Sequence, residues 1–281
     1  MTNLTKRVLL IFIVIPILFA AIGLLTFCHH IIVHIFGIAF MTVGSMELWK
    51  ILTGKEPKSN PLVFIIPALI SLVTYLECAD IIKEGSLLVT VAALIFIVFA
   101  YPIFTRDEKN FEAINKNIQA LTILILYPGF FFSYAPRLTD LPYPGWSLVG
   151  FLVLVFMSDI FAYVFGMAFG KSNRNIFPVS PKKSLMGFIG GFFATIFGAV
   201  VIFCMGAPIF GGKISNAILV SAIIGIVAPV GDLIESAMKR SAKTKDSANY
   251  IPGRGGVLDN IDSIIFSAPV FYYLIKYICL A

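Results

Sequence analysis

Charge is what this sequence has least of. Asp, Glu, Lys and Arg together make up 13% of its 281 residues, where a soluble globular domain carries about a quarter. That shortage excludes an ordinary water-soluble domain. Cysteine is scarce too: Cys28, Cys78, Cys204 and Cys279 stand far apart in or beside apolar runs, with no CxxC pair. Such spacing excludes a disulfide framework and a structural zinc site built on cysteine pairs. The 3 histidines, His29, His30 and His34, fall together. They read as interfacial residues at the end of a span, with a metal site on one helix face as the lesser alternative. There is no repeat at a period of roughly 20 to 50 residues, no low-complexity tail and no Pro-rich linker. Residues 1–281 therefore read as a single polytopic membrane domain, with spans alone in 1–145 and the polar motifs in 146–281.

What fills the chain is apolar: 59% of residues are hydrophobic and the mean hydropathy is +0.95. The run VLLIFIVIPILFAAIGLLTFC, Val8 to Cys28, matches the roughly 20 residues a helix needs to cross a bilayer. It exceeds the apolar stretch of a signal peptide, lacks a small-residue cleavage site and precedes many similar runs, so it is read as a retained first span. Polar, Pro and Gly breaks divide the sequence into apolar segments at about 8–28, 31–52, 61–79, 86–104, 119–136, 146–170, 185–208, 216–238 and 260–280. With the N-terminus inside, the outer loops hold only Lys83, Arg137 and Lys213 of the 21 Lys and Arg, while Lys50 and Lys276 lie at span ends. The remaining basic residues face inward, as the positive-inside rule demands. The expected fold is an all-α integral membrane protein of about nine transmembrane helices, N-terminus cytoplasmic and C-terminus outside.

Three polar places stand out against this background. In SDIFAYVFGMAFG, Asp159, Tyr163 and Gly166 recur at helical spacing. An ionised carboxylate inside a span costs at least a few kcal/mol unless it meets a cavity or partner, so Asp159 is a functional candidate, a hydrogen bond to a neighbouring helix being the alternative. Gly166 and Gly170 suit helix packing. In SPKKSLMG, Lys182 and Lys183 follow Ser180 at the start of a span. Lysines are poorly placed for a helix N-terminus; bound phosphate would relieve the conflict, and plain inside-positive topology is the other reading.

The third place is GDLIESAMKRSAKTKDSANYIPGRGGVLDNID. Asp232, Glu235, Ser236 and Lys239 form a polar stripe on one helix face; Asp246, Asp259 and Asp262 add carboxylates; Pro252-Gly253 and Gly255-Gly256 allow tight turns and close approach to a ligand. Carboxylates without His or Cys partners suit Mg²⁺, which commonly bridges to substrate phosphates. Acids for a metal, cations for phosphate and glycines for close approach fit phosphoryl or nucleotidyl transfer to a lipid head group. A basic loop on anionic lipid would not explain the acids.

At these residues the sequence resembles the CDP-diacylglycerol synthase (phosphatidate cytidylyltransferase) family. Ser236, Lys239, Arg240, Lys245, Asp246, Pro252, Gly253, Gly255, Gly256, Asp259 and Asp262 match its signature in order and spacing, and DIFAYVFGMAFGK and SPKKSLMG resemble two further family segments. Met186 stands where the family has Glu, Arg254 where it has His, and Asn260 where it has Arg. The resemblance implies a multi-pass enzyme of the cell (inner) membrane that joins CTP to phosphatidate on its cytoplasmic face. Membrane lipids and a second copy of the chain are the implied partners, and nucleic acid is not. Mg²⁺ is the implied cofactor, with a second, monovalent cation left open. Asp232 and Asp259 would be metal ligands. Asp246, Lys245, Asp262 and Asp159 would be catalytic, and Ser180, Lys182, Lys183, Ser236, Lys239, Arg240, Arg254, Gly255 and Gly256 would bind substrate or phosphate. The alternatives are a CTP-dependent lipid kinase, which would release CDP, and a catalytically silent relative that binds anionic lipid. A transporter using Asp159 and Asp232 as an ion path is disfavoured, because the charge gathers on one face.

Overall fold

The computed structural model describes residues 27–104, 113–248 and 255–280. Among them the chain is helical, with an isolated bridge between Arg174 and Ser184. The helices are α1 Phe27–Thr53, α2 Leu62–Cys78, α3 Ser86–Ala100, α4 Ile114–Leu124, α5 Phe132–Arg137, α6 Pro144–Phe169, α7 Leu185–Cys204, α8 Ile214–Ser241 and α9 Leu258–Leu274. A wide turn of π type, Ile125–Phe131, joins α4 to α5, and another, Ile275–Cys279, extends α9. Pro128 lies inside the first of these. Proline lacks the N–H that an α-turn requires, and the looser turn accommodates its ring.

Seven stretches among the described residues are long and apolar enough to cross a membrane: Cys28–Thr53, Ser86–Phe104, Ile114–Asp140, Pro144–Phe169, Leu185–Cys204, Ile214–Ser241 and Leu258–Cys279. The helix Leu62–Cys78 is apolar but shorter, at 17 residues. The chain is thus an all-α integral membrane protein. Of the first expected span, 8–28, all but the last two residues lie outside the described residues. Nor do the histidines share a helix face, because Cys28, His29 and His30 are left-handed, with φ of 48°, 50° and 57°. His34 instead sets its ring against Tyr75, centroids 5.3 Å apart.

The chain forms two compact units, residues 1–137 with 242–260, and residues 138–241 with 261–281. In the first, Met41, Leu48, Trp49, Ile66, Ile70 and Leu124 are buried. Arg137, expected in an outer loop, ends α5 as a buried cation 2.5 Å from Glu77. Glu77 also accepts the Leu87 N–H at 2.7 Å, near the start of α3. An arginine drawn out of water needs such a partner, and α2 supplies it. In the second unit, α6 and α7 touch backbone to backbone. A Cβ at Gly187 or Gly191 would come within 2.7 Å of the Ala162 or Ser158 carbonyl oxygen. Membrane helices, which gain little from apolar contact with one another, associate through small residues of this kind.

Candidate active site

Within the second unit, three helices deliver acids to one place. Asp232, Glu235, Ser236 and Lys239 share a face of α8 at its C-terminal end. Gly231 sets the distance to α9: a Cβ there would lie 2.7 Å from the Asp262 carbonyl oxygen and 2.9 Å from the Phe266 Cβ. From α6 comes Asp159, whose Oδ1 accepts from the Ser263 hydroxyl at 3.4 Å. Asp159, Asp232 and Glu235 all lie within electrostatic reach of Asp262. Glu235 and Asp262 are buried, whereas Asp159 is exposed along the helix.

Two lysines answer these four acids. Lys183 Nζ sits 2.6 Å from Asp232 Oδ2, and Lys239 pairs with Glu235 one turn away on α8. The Ser236 hydroxyl donates to Asp232 Oδ1 at 3.4 Å. Exposed Arg240 donates from Nε to the Val179 carbonyl at 3.2 Å, tying the end of α8 to the segment before Ser180. The start of α7 is capped by the Ser184 side chain, which accepts the Gly187 N–H at 3.1 Å. The conflict of a lysine at a helix start is therefore met, for Lys183, by Asp232. Lys182 is exposed beside it and Ser180 is half-buried.

A second constellation lies in the first unit, around the start of α9. Glu47 of α1 is buried, and its carboxylate accepts the Val257 N–H at 2.9 Å, the Leu258 N–H at 2.8 Å and the Ser247 hydroxyl at 2.8 Å. Asp259 Oδ2 accepts the Gly256 N–H at 2.7 Å and the Ser247 N–H at 3.0 Å, and faces the same Ser247 hydroxyl at 2.8 Å. One hydroxyl proton serves one carboxylate at a time. Free N–H groups at a helix start are a ready anion site; here the protein's own carboxylates occupy them. Gly256 has no room for a side chain, since a Cβ would lie 2.6 Å from Glu47 Cδ, and Gly255 is left-handed at φ 88°. The bare backbone at these glycines gives Glu47 and Asp259 room to approach. Lys245 and Asp246 are exposed, and Asn260 donates to the Gly256 carbonyl at 2.5 Å. Arg254 lies outside the described residues.

Sequence reasoning passed over Glu47, Ser247, Ser263 and Gly231, and placed Glu235 in the polar stripe without a role. For Glu47 the signal was present: an acid within the apolar run GSMELWKIL, which carries the same cost as Asp159. Gly231 and the two serines have no such signal, because only packing against α9 or Asp259 gives them meaning.

The donor chemistry of the second unit fits a hard divalent cation. Its acids offer oxygen alone, without His or Cys. Among the described residues no three His, Cys, Asp or Glu side chains converge as a ready-made metal site.

Comparison with known proteins adds a lineage to this geometry. The model of the cytidylyltransferase family matches residues 5–278. The phosphatidate cytidylyltransferase of Bacillus subtilis (strain 168) is 30% identical over 251 residues, covering 85% of this chain and 88% of that protein. The phosphatidate cytidylyltransferase of Staphylococcus haemolyticus (strain JCSC1435) is 32% identical over 218 residues, covering 77% and 80%.

Proposed function

Because this chain belongs to the cytidylyltransferase family, we propose that it is a Mg²⁺-dependent enzyme making CDP-diacylglycerol and pyrophosphate from CTP and phosphatidate. The observation that carries the reading is the cluster of Asp159, Asp232, Glu235 and Asp262 with Lys183 and Lys239 among mostly apolar helices. Keeping six ionisable groups there is costly for a membrane protein, and a charged substrate gives them a use.

In the reaction, a phosphate oxygen of the lipid attacks the α-phosphorus of CTP in line. The bond from that phosphorus to the bridging oxygen breaks, and pyrophosphate leaves with the electron pair. The protein's part is to position the two phosphates and offset their charge. Bound Mg²⁺ would supply charge neutralisation at the phosphates, with Asp232 as a ligand; for Asp259 the same role is proposed on the motif alone. Asp246, Asp262 and Asp159 act as further ligands or orient the cations. Lys183, Lys239, Arg240, Lys245 and Arg254 hold phosphate oxygens, and Ser180, Lys182, Ser236 and the two glycines complete the binding surface. The proposal includes about nine spans, a cytoplasmic N-terminus and catalytic face, the cell membrane as location, and a homodimer.

The deciding experiment gives detergent-purified protein phosphatidate and CTP labelled at the α-phosphorus, with and without Mg²⁺. Metal-dependent label in the lipid fraction, with pyrophosphate released, is the expected result. Labelled CDP without labelled lipid would mean γ-phosphoryl transfer, and binding without turnover would mean a silent relative. Either would overturn the proposal.

A further inference from the structure

Glu47 has no part in the reaction above, yet it is 3% exposed in an apolar helix. All three of its hydrogen bonds go to one distant segment: Ser247 at one end, Val257 and Leu258 at the other. Every facing group is a donor, two N–H and one O–H, and two of these stand at the positive start of α9. Only an acceptor with two oxygens satisfies that set, and a negative charge there is favoured by the helix dipole. Ser247 is also hydrogen-bonded to Asp259 through both its N–H and its hydroxyl. Glu47 therefore holds Ser247, Val257 and Leu258 together, against the same serine that orients Asp259.

The geometry points to Glu47 as a positioning residue: a latch on α1 that holds Ser247 beside Val257 and Leu258 and so fixes the carboxylate of Asp259. Without it, the Val257 and Leu258 N–H groups lose their acceptor, and the Ser247 hydroxyl loses one of the two carboxylates it faces. The catalytic consequence rests on the proposed function, because it takes Asp259 to be a metal ligand. The latch itself does not.

The test compares wild type, Glu47→Gln and Ser247→Ala in detergent. Limited trypsin digestion without metal or substrate follows cleavage after Lys243 and Lys245, both exposed. In parallel, Mg²⁺ activation curves and the KM for CTP are measured, with Asp259→Asn alone and combined with Glu47→Gln. Glu47→Gln keeps the size of the side chain but turns an amide donor toward donors. It should speed cleavage in this loop and leave cleavage elsewhere unchanged. It should also raise the Mg²⁺ midpoint by about tenfold, the scale on which groups that orient metal ligands act. The double variant should be no worse than Asp259→Asn. A wild-type cleavage pattern in Glu47→Gln would overturn the latch, whether or not the protein makes CDP-diacylglycerol. Faster cleavage with an unchanged Mg²⁺ midpoint, or additive losses in the double variant, would overturn its link to Asp259. Should Glu47→Gln fail to fold, Ser247→Ala is read by the same criteria, since it removes the shared hydroxyl and keeps both carboxylates. A chain that turns over no substrate in any form would refute the proposed reaction while digestion still decides the latch.

Discussion

Asp232 and Glu235 stand one turn apart on α8 and answer to different demands. The Asp232 side chain is 34% exposed and its partner Lys183 23%, so the pair is partly solvated and contributes little to stability, about 1 kcal/mol or less. Asp232→Asn should therefore leave the melting temperature of detergent-solubilised protein nearly unchanged. It should lower turnover on the order of 100-fold or more, the loss typical of removing one preorganised charge at a reacting centre. Full activity in this variant would remove Asp232 from the site. Glu235 is fully buried, and its pair with Lys239 is nearly so. Removing one member of a buried pair strands the other charge, at a cost of roughly 3–5 kcal/mol. Glu235→Gln should lower the melting temperature clearly, and a stability equal to wild type would show that Lys239 has another adequate partner.

At the scale of elements, the site depends on how closely backbones approach. Gly231 lets α8 pass against Asp262 and Phe266 of α9, next to Asp232, which lies within electrostatic reach of Asp262. Gly231→Ala places a methyl where the Asp262 carbonyl oxygen already sits at 2.7 Å. Overpacking of this kind costs about 1–3 kcal/mol. Thermal unfolding should show that loss, and turnover should fall further than the stability change explains because the acids are pushed apart. An unaffected kcat would mean that the acid spacing is set elsewhere. Glu77 plays a comparable part in the first unit, joining the end of α2 to Arg137 of α5 and to the start of α3. Glu77→Gln removes the carboxylate from this buried pair, and thermal unfolding in detergent should show a loss of roughly 3–5 kcal/mol.

At the scale of the whole molecule, charge placement carries the topology. The basic residues of the motif, Lys239, Arg240, Lys243 and Lys245, lie near the C-terminal end of α8, while Lys213 stands just before its first residue, Ile214. If the inside-positive arrangement holds, those two ends face opposite sides of the membrane. In a cysteine-free background, Lys213→Cys should react with an impermeant maleimide added outside intact cells. Lys245→Cys should react only after the membrane is opened, and the reverse pattern would invert the proposed orientation. The two compact units divide the functional residues between them: the acid and lysine cluster belongs to residues 138–241 and 261–281, the Glu47 latch to residues 1–137 and 242–260.

Composition and hydropathy alone determined that this chain is an α-helical membrane protein. No other fold satisfies so many backbone groups in so apolar a sequence without alternating polar residues. The order and spacing of Ser236, Lys239, Arg240, Lys245, Asp246, Asp259 and Asp262 carried the family and the class of chemistry, because helical periodicity is local and survives without knowledge of packing. What only the tertiary structure decided is which charge meets which. Lys183 lies 49 residues from Asp232 in sequence, and Ser263 lies 104 from Asp159. Glu47 reaches loop residues 200 or more positions away. Such pairings depend on close helix contacts at Gly231 and Gly256, where the missing side chain matters, and the pattern along one chain does not say which backbone will fill that space.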